Sequence, residues 1–387
     1  MNGSKLIYLD NQATTQTDPN VVEKMLPYFT KFMGNPSSDH SFGIEARSAV
    51  SWTRDIITKA WDLDCRLLVF TAGASESINL ALKGFAASPS SKARKKIITT
   101  NIEHSATIET LKRLEMAGFE IINLPVDNEG LISTKQLESS LSEDTLLVSI
   151  ILVNNEIGTV QDYNEIIKIC SARQIPLHFD ATQGIGKIEF YSAVSKCTSP
   201  LLFSFSSHKF YGPKGVGGLY LNQPAIDAKL VPLIDGGGQE GGLRAGTENV
   251  PGIVGMGRAI TLCREYFPEE TERITFLRDK FLHNLNDAGI KYSINGSRIS
   301  RIPHNLNIMF HEVPSAVLKN RNKDIAFSTG SACSSSLHKP SHVLKAIGLN
   351  NKEASHSVRI GIGRFNTEEE INYCTDKFIE VINDLLG

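Results

Sequence analysis

The chain has 387 residues, 41% of them hydrophobic and 21% charged, and its 40 basic residues against 42 acidic ones leave a formal net charge of −2. This balance, with no single-sign run longer than "KARKK" at Lys92 to Lys96, argues against nucleic acid or an anionic membrane as a primary partner. Six cysteines (Cys65, Cys170, Cys197, Cys263, Cys333 and Cys374) contain no C-x-x-C pair, so neither a disulfide framework nor a zinc module is expected.

The N-terminal "MNGSKLIYLD" has no apolar signal core, and no apolar run approaches the roughly 18 residues of a spanning helix, so a cytoplasmic protein is expected. From Leu67 to about Leu221, the β-rich runs "LLVF", "KIITTN", "EIINLP", "LLVSIILV", "PLHFDA", "LLFSFS" and "GGLYL" alternate with amphipathic segments. That alternation predicts an α/β domain with a mostly parallel sheet. Ile78, Leu82 and Phe85 recur at helical spacing behind the small, polar "GASES", which predicts a helix starting near Ser75. Beyond Asn249 the pattern changes to a long helix reaching about Asn286, then short strands such as "NLNIMF", then a last helix. That last helix is marked by Thr367 with Glu370 and by apolar Ile371, Cys374, Phe378, Ile382 and Leu385. Cys374 is thereby read as core. Residues 15–250 form the expected large domain. Residues 1–14 and 251–387 form a smaller one, carrying the Cys333 loop at about 325–340.

The strands of such a sheet point their carboxyl ends at one crevice, so polar residues just after each run should converge there. These are Gly73-Ala74-Ser75, His104, Asn154-Asn155, Asp180 with Gln183, and Ser206-Ser207-His208-Lys209. An amine at Lys209, held at the crevice, can have its pKa lowered and form a Schiff base; the plain alternative is a surface lysine beside a turn. Asp180 closes a buried strand, where an unpaired carboxylate is costly and calls for a cation. A protonated pyridine nitrogen would serve, as pyridoxal phosphate requires, and so would a helix cap or an arginine. "GASES" offers a glycine turn, the Ser75 hydroxyl and helix amides to a phosphate, or is simply an N-cap. His104 could stack on a flat ring and shuttle protons, or be a satisfied loop histidine.

Together these residues resemble the cysteine desulfurases of the NifS/IscS type, in the class V aminotransferase group of pyridoxal-phosphate enzymes. The resemblance runs through "YLDNQATTQTDP", "GNPSS", "TAGASESINLALKG", "NIEHSAT", "VNNEIGTVQ", "HFDATQGIGK", "SFSSHKFYGPKGVGGLY", "GGGQEGGLRAGTENV", "STGSACSSS" and "VRIGIGRFNTEEEI". It implies the fold type I architecture of these transferases, aspartate aminotransferase-like, with a mostly parallel seven-stranded sheet in the large domain and a smaller α+β domain. It also implies that Lys209 holds pyridoxal 5′-phosphate covalently, Asp180 pairs with the pyridinium, Gln183 faces the ring hydroxyl and His104 stacks on the ring. Asn155 would touch cofactor and substrate. Phosphate contacts would come from Ala74, Ser75, Ser206, His208 and, across a homodimer interface, Thr247. Arg359 would clamp the substrate carboxylate, with Arg364 the weaker candidate.

The implied reaction converts L-cysteine to L-alanine. Cys333 would take the sulfur as a persulfide and pass it to an acceptor, an iron–sulfur scaffold or a sulfurtransferase, while His104 and Lys209 share the proton transfers. Gln12 and Gln16 stand where Asn and Pro are expected, and Ser75 where Thr is usual. The housekeeping members continue past the last helix into a scaffold-docking tail, a departure that puts such docking in question here. Around Cys333 the small residues of "STGSACSSS" have little apolar area to offset ordering, so a mobile loop is expected. No cation lies beside the thiol in sequence; His338 and Lys339 are five and six residues on. A selenocysteine lyase would share the cofactor residues but depend less on Cys333. In an aminotransferase or lyase on this fold the cysteine would be incidental. A metal site at Cys333, His338 and His342 has too few ligands to compete.

Overall fold

The computed structural model describes residues 6–64, 68–89, 94–329 and 340–386. Strand β1 (Ile7–Tyr8) opens the chain. It is followed by β2 (Leu68–Thr71), β3 (Lys96–Thr100), β4 (Glu120–Leu124), β5 (Thr145–Ile151), β6 (Leu177–Asp180), β7 (Leu201–Ser206) and β8 (Gly217–Leu221). Strands β2 to β8 build one seven-stranded sheet in the order β2-β8-β7-β6-β5-β3-β4. It is parallel from β7 to β4, and β8 runs antiparallel to both of its neighbours. Every residue of β5, β6 and β7 is buried, because helices cover both faces of the sheet, and this is why those runs read as unbroken apolar stretches. One face carries a core around Trp61, Phe190 and Phe203, the other a core around Leu80, Leu111 and Leu147.

The pairing register places Asp180 level with Ile151 and Ser204, so β5, β6 and β7 end on one edge. The helix Ala74–Ala86 starts directly after β2, and a single 3-10 turn, Ser207–Lys209, follows β7. His178, two residues before Asp180, is fully buried. Its ring nitrogens bridge Ser149 Oγ on β5 at 2.9 Å and Ser204 Oγ on β7 at 2.8 Å. Burial pushes its pKa down to about 4. A histidine whose folded pKa is depressed leaves stability intact above the unfolded value near 6.5 and takes it away as pH falls toward 4, because the unfolded chain then binds a proton that the fold refuses. We expect the loss of stability between pH 6.5 and 4 to be shallower in His178→Gln by up to about 1.4 kcal/mol per pH unit. Denaturant titrations across that window would show it, and equal slopes would exclude it.

The remaining strands are β9 (Tyr292–Ile294), β10 (Asn305–Phe310), β11 (Ile325–Ala326) and β12 (Ser357–Gly361). They form an antiparallel sheet β12-β10-β9 and a small parallel pair β1-β11 over a second core. The last helix, Glu368–Leu386, packs Phe378 against Phe281, Phe310 and Phe327, and Thr367 Oγ1 accepts from the Glu370 amide at its start. Cys374 is wholly buried in this core, where burial pushes its thiol up to about 12. The long helix Val250–Asp287 joins the two bodies. Its residues through Cys263 pack in the large core, while Ile274, Leu277, Phe281 and Leu285 pack in the small one. The expected division at 250/251 thus falls in the first turn of a helix that serves both cores. Among the described residues no helix is long and apolar enough to cross a membrane.

Candidate active site

A cavity of about 710 Å³ opens at the carboxyl edge of the large sheet. Ala74, Ser75, His104, Asn155, Asp180, Gln183, Ser206, His208, Lys209 and Arg359 all line it, although up to 285 positions separate them in sequence (359 − 74). The N-terminal segment Gln12-Ala13-Thr14 lines it as well. Lys209 Nζ donates to the backbone carbonyls of Gln12 at 2.7 Å and Ala13 at 2.8 Å. The contact is to backbone, so glutamine at position 12 does not alter it. The Gln12 side chain instead turns to the small domain, its Nε2 donating to His304 O at 2.7 Å.

Asp180 is 3% exposed at the end of β6, and its Oδ1 accepts from Thr182 N at 3.0 Å. Gln183 is held from both ends of its amide: Nε2 donates to Gln12 O at 2.9 Å, and Oε1 accepts from Lys187 Nζ at 2.9 Å. A backbone carbonyl can only accept, so the amide orientation is fixed and the Gln183 nitrogen remains a donor. Lys187 is fully buried, and burial, with the nearby Lys209 charge second, pushes its pKa down to about 7. It lies four residues after Gln183 in "HFDATQGIGK", in a run of turns that passes through positive-φ Gly186, and no sequence pattern pointed to it.

At the other end of the cavity Gly73 has φ 152° and ψ 179°, a conformation open essentially only to glycine. It lets the chain pass from β2 into the helix Ala74–Ala86, whose first-turn amides have no carbonyl within their own helix to bond to. Glu76 would set a like charge against an anion there, but Arg244 Nε pairs with its Oε1 at 2.9 Å and Ala72 N donates to its Oε2. His208 bonds Thr14 Oγ1 through Nδ1 at 3.1 Å. Burial, then the Lys209, Lys214 and Lys187 charges, lowers its pKa to about 4 and keeps it neutral.

Arg359 is only 2% exposed. Its Nη2 pairs with Asp10 Oδ1 at 2.8 Å, its Nη1 donates to Asn155 O at 3.0 Å, and its buried Nε has no partner among the described residues. Asp10 also accepts from Ser328 Oγ at 3.1 Å. Asp10 and Arg359 are 349 positions apart, and no sequence pattern linked them. Behind the cavity, burial pushes the Glu103 carboxyl up to about 8; its Oε1 accepts from Thr100 Oγ1 and Ile151 N, and its Oε2 has no partner among the described residues.

Arg364 does not line the cavity. Its guanidinium is taken up by Glu270 at 2.7 Å and Asp18 at 3.0 Å and lies 4.1 Å over the Tyr211 ring. Thr247 is exposed and is not among the lining residues. Cys333 and His338 lie outside the described residues, and His342 Nε2 bonds Glu103 O at 2.9 Å.

The profile of the family "Aminotransferase class-V" matches residues 7–374, almost the whole chain. The chain belongs to the class-V aminotransferase family. Relatives in that family include a protein named cysteine desulfurase IscS from Rickettsia prowazekii (strain Madrid E). It is 42% identical over 381 residues, spanning 98% of this chain and 92% of the relative. Among solved structures, one titled "NIFS-LIKE PROTEIN" superposes with a TM-score of 0.90 at 38% identity, covering 98% of this chain and all of the other. Another, titled "SspA in complex with cysteine", superposes at 0.81 with 36% identity, covering 93% of this chain and all of the other. Class-V aminotransferases use pyridoxal 5′-phosphate, and the donor set here fits that group. An amine, a buried carboxylate, an amide held as donor, an imidazole and a helix N-terminus opened by Gly73 all face one cavity.

Proposed function

We propose that the chain is a cysteine desulfurase. L-cysteine gives up its sulfur to Cys333: the substrate carbon–sulfur bond breaks, a sulfur–sulfur bond forms at the enzyme thiol, and a proton replaces sulfur on carbon to leave L-alanine. A persulfide remains on Cys333 for transfer to an acceptor protein, an iron–sulfur scaffold or a sulfurtransferase. The observation that carries this reading is the convergence of Lys209, Asp180, Gln183, His104 and Arg359 on one cavity. When bound, pyridoxal 5′-phosphate supplies an electron sink for bond breaking next to the amino-bearing carbon.

Lys209 would hold the cofactor, and its amine is placed to accept and return the substrate proton. Asp180 balances a cation with a carboxylate that burial keeps from water. Gln183, held by Gln12 and Lys187, would present a donor to the ring oxygen. Ala74, Ser75, Ser206 and His208 would hold the phosphate beside the helix N-terminus. Arg359, oriented by Asp10 and Asn155, takes the substrate carboxylate, and Asn155 borders both ligands. Thr247, exposed and away from its own cavity, serves the cavity of a second copy. The exposed apolar side chains of Leu26, Phe29, Met33, Phe42 and Trp52 support a homodimer.

The test is Cys333→Ser. The variant should keep the absorption spectrum of its bound cofactor while sulfide release in the presence of a thiol reductant falls to background. Sulfide release at the wild-type rate would refute the assignment.

A further inference from the structure

His104 is the N-cap of the twelve-residue helix Ser105–Met116, with extended backbone at φ −66° and ψ 150°. Its carbonyl accepts from Thr107 N at 2.9 Å and Ile108 N at 3.1 Å, and its ring Nδ1 accepts from Ala106 N at 3.1 Å. A backbone N–H can only donate, so Nδ1 must present its lone pair to it. The single proton of the neutral ring therefore sits on Nε2. With Nδ1 turned to its own helix, Nε2–H is the polar group that the ring has left for the cavity it lines.

We propose that His104 serves the reaction as a permanently neutral hydrogen-bond donor through Nε2, and not as a base. A base needs a lone pair facing its proton, and the lone pair of this ring is spent on Ala106. Charging the ring would need a second proton on Nδ1, set directly against the Ala106 N–H. It would also put a positive charge at the positive end of a helix dipole. A neutral imidazole at a helix N-terminus is a recognised way of making histidine an electrophile.

The groups around the ring pull both ways. Asp180 and Glu156 favour the cation, while Lys209 and His342 oppose it. Burial is larger than any of them and sets the direction, downward from the ordinary value. Glu156 is itself engaged by the Ser341 hydroxyl at 2.5 Å.

The proton traffic then belongs to Lys209, and the group that deprotonates Cys333 is not His104. What the Nε2–H meets, on the desulfurase reading on which this part rests, is the sulfur of the bound amino acid: a hydrogen bond to its lone pair draws electrons from that sulfur and makes it a better target for the Cys333 thiol, while the electron pair of the breaking carbon–sulfur bond goes to carbon. Such a donor acts by being already in place, with no proton changing owner.

The experiment uses the full-length, cofactor-loaded enzyme with ¹⁵N-labelled histidine. Two-bond proton–nitrogen correlation spectra from pH 5.5 to 9 would be assigned to His104 by comparison with His104→Gln. The expected result is the Nε2–H tautomer pattern, unchanged across the range. A proton on Nδ1, or titration of the ring within it, overturns the proposal. The tautomer needs no turnover to be read, so it stands or falls separately from the desulfurase reading. In alanine formation from L-cysteine, His104→Gln, which can donate but is not basic, should lower kcat by about tenfold and keep the shape of the pH profile. His104→Leu should lower it by about 10²–10³-fold. Equal losses in the two variants, or an acid limb missing from His104→Gln alone, would return His104 to the role of base.

Discussion

On the proposed roles of Lys209 as covalent anchor and as the amine that moves the substrate proton, replacing it by alanine will reduce alanine formation from L-cysteine by about 10³-fold or more. The fold should survive. The Gln12 carbonyl that loses the lysine still accepts from Gln183 Nε2, so the main loss is one hydrogen bond at Ala13 O, about 1 kcal/mol. Lys209→Arg should fare no better, because a guanidinium keeps its charge at any working pH and cannot give up a proton to become a nucleophile or a base. Product assays on both variants, with circular dichroism as the control for folding, decide the matter. A variant that keeps a tenth of the wild-type rate would remove Lys209 from the centre of the site.

The second large effect concerns the arginine. A guanidinium 2% exposed is tolerated because Asp10 neutralises it at 2.8 Å and Asn155 O satisfies another donor, and among the described residues nothing takes up the buried Nε. Arg359→Lys keeps the charge but loses the fork. We expect KM for L-cysteine to rise by about 10²-fold, from the loss of roughly 2–3 kcal/mol of charge-assisted hydrogen bonding, with a smaller change in kcat. Asp10→Ala should resemble it in KM and should in addition destabilise the fold by about 3 kcal/mol, since a buried arginine is left uncompensated. Steady-state kinetics and denaturant midpoints on the two variants separate binding from stability. If KM is unchanged in both, the carboxylate is held elsewhere.

Much of this site was legible in one dimension because the chemistry sits at strand ends. Asp180 closes the buried run β6, Lys209 ends the single turn after the buried run β7, and the parallel register brings those two strand ends to one edge. "GASES" marks the helix start because only a glycine with φ 152° makes that turn. Cys374 was readable as core from its place in a helical stripe, and the structure buries it completely. The partners of the site were harder to see. Lys187 reads as one more polar residue of a turn until its amine is found buried against Gln183 Oε1. Arg364 and Arg359 are five residues apart and look alike in sequence. Only folding turns one into the cavity and spends the other on Glu270 and Asp18.

The sequence by itself determined the fold class, the family and the residues that could do chemistry, because strand and helix periodicity and short motifs are local properties of the chain. Tertiary structure alone decided how those residues are held. The Asp10–Arg359 ion pair, the contact of Lys209 with the Gln12 and Ala13 carbonyls, and the clamp on Gln183 each join segments far apart in sequence or depend on burial. Burial sets the protonation of His178, His208 and Lys187, and a backbone N–H sets the tautomer of His104. Charge and hydrogen-bond direction follow from what surrounds a group in space, and only the folded chain supplies those surroundings.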